Sequence, residues 1–126
     1  MPSTVEIYKM KDFIRQNESG VLSEQRVSAI INRIASVATL HPDHNILLDF
    51  RETRIADVSM VDILKAAITI EKFKDVLKNK IANVIPDDSD RIDIAKRSEA
   101  AIQLKGINYR FFTEFEDAID WFAGIA

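Results

Sequence analysis

The stretch DFRETRIADVSMVDI, residues 49–63, carries a serine hydroxyl at position 59 and a carboxylate, Asp62, three residues later. Two kinds of chemistry fit that spacing. A serine at the start of a helix accepts a hydrogen bond from the amide three residues on, and an acid at that position can return one, a capping box. The same hydroxyl, exposed at a helix start, can accept a phosphate, whose charge of about −2 the positive end of the helix dipole tolerates. Ser59 therefore reads both as a cap and as a candidate phosphorylation site, a charge switch on a surface offered to a partner.

A second set lies where strands are expected to end. Asp49 and Arg51 close one apolar run, and Pro86, Asp87 and Asp88 close another, VIPDD. Ligands of open parallel sheets bind at the carboxyl ends of strands. Asp49, Arg51, Asp87 and Asp88 are thus candidate ligand-binding residues, with arginine clamping an anion and acids orienting the arginine. Arg54 and Arg91 are placed near them. The plainer alternative is solvated turns and caps, with Asp88 or Ser89 capping the next helix. Asp49, Asp87 and Asp88 could also hold magnesium. No lysine or threonine can be assigned to complete such a phosphoryl site, and His41 or His44 would have to cross to the other pole to pair with a serine. No catalytic residue is assigned. The segment HPDH gathers His41, Asp43 and His44, but a structural zinc site wants four ligands and there is no cysteine to help. A surface loop is expected there, without metal or cofactor.

The elements that must position these residues follow from periodicity. TVEIY and DFIRQN read as two paired strands. Val27, Ile30, Ile31, Ile34, Val37 and Ala38 then fall at helical spacing, behind Ser23 as cap, Glu24 at the positive end of the dipole and Leu22 stapled on Val27. NILLDF is an unbroken apolar run suited to a strand covered on both faces. A second helix over residues 60–78 buries Ile63, Leu64, Ala67, Ile70 and Leu77, turns Asp62, Lys65, Thr69 and Lys72 outward, and leaves Val61 and Ile68 on the flank. IANVIP is a strand stopped by Pro86. A third helix over residues 90–105 buries Ile94, Ala95, Ala101 and Ile102 and ends at Gly106, with Ile107 touching Ile102. INYRFF is a strand, and TEFEDAIDWF is a helix with Thr113 and Glu116 as capping box and Phe115, Ala118, Ile119 and Phe122 inside. The order is ββαβαβαβα: an α/β fold with a mixed, mostly parallel sheet, a helical layer and an antiparallel edge from the first hairpin, one domain over residues 1–126.

That order and the quoted stretch resemble the STAS family, the domain of anti-sigma-factor antagonists and sulphate transporters, and within it the small stand-alone SpoIIAA-like proteins. In that family a strand acid leads to an Asp-Ser-Ser-Gly signature at a helix start, whose second serine is phosphorylated. Asp49 matches the strand acid, Asp57 the signature acid and Ser59 the phosphorylated serine, while Val58 and Met60 stand where the first serine and the glycine would be. GVLS before the first helix, VIPDD, and the ending RFFTEFEDAIDWF also look like the SpoIIAA-like group. The resemblance implies a non-enzymatic regulatory or protein-interaction module, with a regulatory kinase or anti-sigma-like factor as partner.

Composition bounds the partners. A net charge of −3, from 17 basic and 20 acidic residues scattered along the chain, offers no basic footprint for nucleic acid. Trp121, Phe122, Phe111 and Phe112 sit among acids and read as packing, not as a base-stacking platform. Glycine occurs only at positions 20, 106 and 124, so no glycine-rich phosphate loop exists. No apolar run approaches the roughly 20 residues of a membrane span, and the first residues lack the features of a signal peptide, so a cytoplasmic protein is expected. The expected partner surface is the start of the second helix: Asp57, Val61, Asp62, Lys65 and Ile68, with apolar contact from the aliphatic pair and register from the charged one. The alternative is a carrier of a small apolar or lipid-like ligand, suggested by the apolarity of that helix and by a likeness to Sec14-like folds.

Overall fold

Ile46, Leu47 and Leu48 are buried on both faces of one strand, and the rest of the chain is arranged around that fact. The computed structural model describes residues 5, 7, 8 and 10–125. Its elements are β1 (Phe13–Leu22), α1 (Glu24–Leu40), β2 (Asn45–Ile55), α2 (Met60–Glu71), β3 (Ile81–Val84), α3 (Ser89–Leu104), β4 (Tyr109–Phe112) and α4 (Phe115–Ala123). The described strands form a four-stranded sheet in the order β1-β2-β3-β4, each neighbouring pair parallel.

Three crossovers that each advance one strand with the same hand deposit their helices on the same face. Residues of α1, α2 and α3, such as Ile34, Ala67 and Ile102, accordingly share one core cluster with Ile46, Leu48, Phe50, Ile81 and Tyr109. After β4 there is no further strand to reach, and α4 takes the opposite face. Its Ala118, Ile119, Trp121 and Phe122 pack on Leu47, Ala82, Val84 and Phe112. The expected single helical layer is therefore two layers of unequal size, with the sheet between them.

Local signals behave as the chemistry requires. Ser23 caps α1 by accepting from the Arg26 amide, and Asp88 caps α3 by accepting from the Arg91 amide. Gly106, just beyond α3, has φ of +82°, a left-handed conformation that costs a glycine nothing, and Ile107 joins Ile102 in the core.

Several expectations are corrected. Val5, Ile7 and Tyr8 lie in no strand, Thr4 and Glu6 fall outside the described residues, and β1 pairs only with β2 among the described residues. No antiparallel edge is found there. Tyr8 and Met10 instead lie against the α4 cluster, while Val5 and Ile7 are exposed. β1 also runs on through Leu22, so GVL belongs to a strand and not to a helix entry. β2 continues to Ile55, which makes the charged run Arg51–Glu52–Thr53–Arg54 part of a ribbon with the end of β1. Asp49 consequently lies within its strand, not at its end, although it is level with Val84, the last residue of β3. α2 stops at Glu71 and gives way to turns, and Leu64 is exposed. Ile94 is only half-buried. At α4 the cap position is held by Glu114 with no side-chain cap hydrogen bond, so Thr113 does not form the expected box.

Candidate functional site

Two surfaces carry the residues singled out by the sequence, one on each side of the sheet. The first is the start of α2. Extended backbone at Ser59 turns into the helix, and its hydroxyl oxygen accepts from the Asp62 amide at 3.2 Å. Asp62 Oδ2 accepts from both the amide and the hydroxyl of Ser59 at 3.0 Å. The box is closed in both directions. The backbone amide of Ser59, and then its hydroxyl, hold the Asp62 carboxyl below its ordinary pKa. Val58 packs into the core that contains Ile63, so the chain enters the helix at a fixed angle.

Beyond the box, Met60, Val61, Leu64 and Ile68 keep 50, 59, 45 and 47% of their surface exposed. Positions 61, 64 and 68 follow one helical stripe, so these side chains form a continuous apolar strip and not scattered contacts. Lys65 at its border reaches Glu24 at 3.5 Å, tying α2 to the first turn of α1. Asp57 is exposed at the loop leading in.

The second surface is on the α4 face. Alternation along β2 turns Asp49 and Arg51 to the same side as Leu47, and the parallel register sets Asn17 of β1 beside Asp49. Arg15, two residues earlier on the same face, reaches across to Asp49. The carboxylate of Asp49 thus accepts four N–H bonds: from the Arg51 amide at 3.2 Å, Arg51 Nε at 2.9 Å, Arg51 Nη2 at 2.7 Å and Arg15 Nη2 at 3.0 Å. The hydrogen bonds from the Arg51 side chain, opposed by burial, lead the effects that bring this carboxyl down to about 2. The same contact raises the Arg51 pKa. Both guanidinium groups lie over the Phe115 ring, at 4.8 Å for Arg15 and 5.7 Å for Arg51. A recess of about 270 Å³ opens beside them at the β2 bulge, where Phe50 and Arg51 face Glu18 alone, lined by Asn17, Glu18, Ser19, Asp49, Arg51 and Glu52. On the other side of Phe115 lies an open trough of about 460 Å³ walled by Tyr8, Met10, Phe13, Phe115, Glu116 and Ile119.

The ligand set proposed from sequence is only half assembled. Asp49 and Arg51 come together, whereas Asp88 spends its carboxylate capping α3, which packs on the other face. Asp87 stands exposed in the loop before it. Arg91 is not a clamp for a ligand. It is buried, and it donates to the Thr53 carbonyl at 2.8 Å and to Thr53 Oγ1 at 3.0 Å, so burial lowers its pKa. Arg54 is exposed. His41 and His44 meet edge to face with ring centres 5.0 Å apart, and among the described residues no group of three or more His, Asp or Glu side chains could hold a metal ion.

Arg15 and Phe115 complete the Asp49 site; the sequence did not single out Arg15 and assigned Phe115 only to the inner stripe of the last helix. The available signal was the alternation Phe13, Arg15, Asn17 on one face of a strand, but the neighbour of that face depends on strand register.

Comparison with family models, curated proteins and solved structures finds no match for this chain. The fold is of the α/β class, with a parallel four-stranded sheet and four helices among the described residues. None of the described helices is long and apolar enough to cross a membrane.

Proposed function

We propose that this chain is a non-enzymatic regulatory module of STAS type that presents the start of α2 to a protein partner. The observation that carries the reading is the apolar strip of Met60, Val61, Leu64 and Ile68, held beside a closed capping box. Clustered exposed apolar groups with a polar border are the composition of an interface centre and rim. Asp57, Asp62 and Lys65 supply the charged border, and the partner class is a regulatory kinase or an anti-sigma-like factor. Phosphate on Ser59 would arrive within 3.0 Å of the Asp62 carboxylate and repel it. The modification would open the reciprocal box and add negative charge at the edge of the strip, altering the surface while the helix dipole still favours an anion.

Quantitative pull-down compares the parent with a Val61→Asp, Ile68→Asp double variant. A partner retained by the parent and lost by the folded variant is the expected result; equal recovery of every captured protein sinks the reading. Ser59→Asn against Ser59→Asp then tests the switch, since both side chains cap and only one adds charge.

A second reading, a carrier of a small apolar or lipid-like molecule, is favoured by the trough beside Phe115. The sequence suggested α2 for that role, and the trough lies against α4 instead. Native mass spectrometry of freshly purified protein tests it through the presence of a co-purifying small molecule.

A further inference from the structure

The apolar strip on α2 carries opposite charge at its two ends. Val61, Leu64 and Ile68 are exposed at a spacing of three and then four residues, the start of a coiled-coil seam. Asp57 and Asp62 stand where the strip begins, and Lys72, the C-cap residue in helical conformation, continues the same stripe beyond Ile68. Lys65 is held by Glu24 at 3.5 Å and Glu71 by Lys105 at 3.7 Å, whereas neither Asp57 nor Lys72 has an ion-pair partner among the described residues. An acidic start and a basic end make the strip complementary to a copy of itself that runs the other way.

We propose that, until another partner displaces it, a second copy of this chain covers the strip, α2 against α2 and antiparallel about a two-fold axis. Setting Val61 of one copy on the partner's Ile68 brings the two Leu64 side chains together beside the axis. The same register places Lys65 within a turn of the partner's Asp62, and Lys72 level with the partner's Asp57. The two Lys65 side chains also approach each other, each neutralised by its own Glu24 and by the partner's Asp62. Opposed helix dipoles favour this direction, and two-fold symmetry closes the assembly at two copies. A parallel second copy would instead set the acids level with each other and Lys72 level with Lys72. The seam from Val61 to Ile68 is only about 10 Å long. The contact therefore belongs to the weak class, below roughly 1,200 Å² of total buried surface, with a dissociation constant on the order of 10⁻⁴ M. The inference rests on the reading of the strip as an interface and adds its regulation, because self-pairing competes with any other partner for the same side chains.

Sedimentation equilibrium of the full chain at low salt, from about 10 µM to about 1 mM, brackets that constant. The mass is expected to rise from monomer toward dimer in the parent and to stay monomeric in the Val61→Asp, Ile68→Asp double variant. Both side chains are exposed, and the thermal transition of the variant checks that it folds. Asp57→Lys alone and Lys72→Glu alone should each weaken the dimer about threefold, and the two together should restore the parental strength. A parent that is monomeric at every concentration overturns the second copy, while the capture of a different partner by the strip is decided separately by the pull-down. A dimer untouched by the double aspartate variant overturns its placement on α2. A dimer that this variant abolishes but that ignores the exchanged charges overturns the antiparallel register.

Discussion

Ser59 and Asp62 each accept a hydrogen bond from the backbone amide of the other, at 3.2 and 3.0 Å, so truncating either side chain releases a donor at the start of α2. Ser59→Ala should lower stability by about 1 kcal/mol and Ser59→Asn by much less, read from the urea midpoint at constant m-value. Equal losses in the two variants would show that the hydroxyl does more than cap.

Asp49 makes the stability of the chain sensitive to acid. Its folded pKa, about 2, lies below the ordinary 3.8, so its contribution is full above the ordinary value and is lost as pH falls through the folded one. That contribution is at most about 2 kcal/mol. Asp49→Asn should therefore be destabilised at neutral pH, with the gap to the parent closing between about pH 4 and pH 2. Urea midpoints measured across that window decide it; a constant gap would mean that the guanidinium contacts do not favour the charged form.

Tyr109 gives the opposite sign at the other end of the scale. Burial pushes its hydroxyl up to about 12, although Asn83 Nδ2 donates to it at 2.7 Å. A raised folded value means that stability is intact below the ordinary value of 10 and is lost as pH rises toward 12. With two tyrosines in the chain, a Tyr8→Phe background isolates the signal. Its phenolate absorbance should appear only near pH 12 or together with unfolding, and a simple titration at 10 in folded protein would contradict the burial.

Arg91 and Arg54 should separate cleanly. Arg91→Ala strips the buried Thr53 carbonyl of its donor and should cost about 2–3 kcal/mol, from the lost charged hydrogen bond and the unsatisfied acceptor. Arg54→Ala, on the exposed side of the same strand, should fall within about 0.5 kcal/mol of the parent. Similar denaturation midpoints for the two variants would remove Arg91 from the core.

The features legible in the sequence are those whose partners lie within a few residues. The cap at Ser23, the box at Ser59 and Asp62, the cap at Asp88 and the left-handed Gly106 all follow from short-range hydrogen bonding. The exposed flank of Val61 and Ile68 follows from the helical period. The run Arg51–Glu52–Thr53–Arg54 misled because its charges suggest a turn, while it continues a strand whose bulge after Asp49 turns Thr53 under Arg91. Leu64 misled because an apolar residue on a helix is not bound to find a neighbour.

By itself the sequence determined where α1 and α2 start, that strands and helices alternate, and that Ser59 stands at a helix entrance. Tertiary structure alone decided that β1 lies parallel to β2, that α4 covers the face opposite the other helices, and that Arg15, Asp49, Arg51 and Phe115 meet. The division has a physical cause. Caps and periodicity are set by bonds a turn away, whereas Arg15 is 34 residues from Asp49, and which strand lies beside which is settled by burying both sheet faces at once.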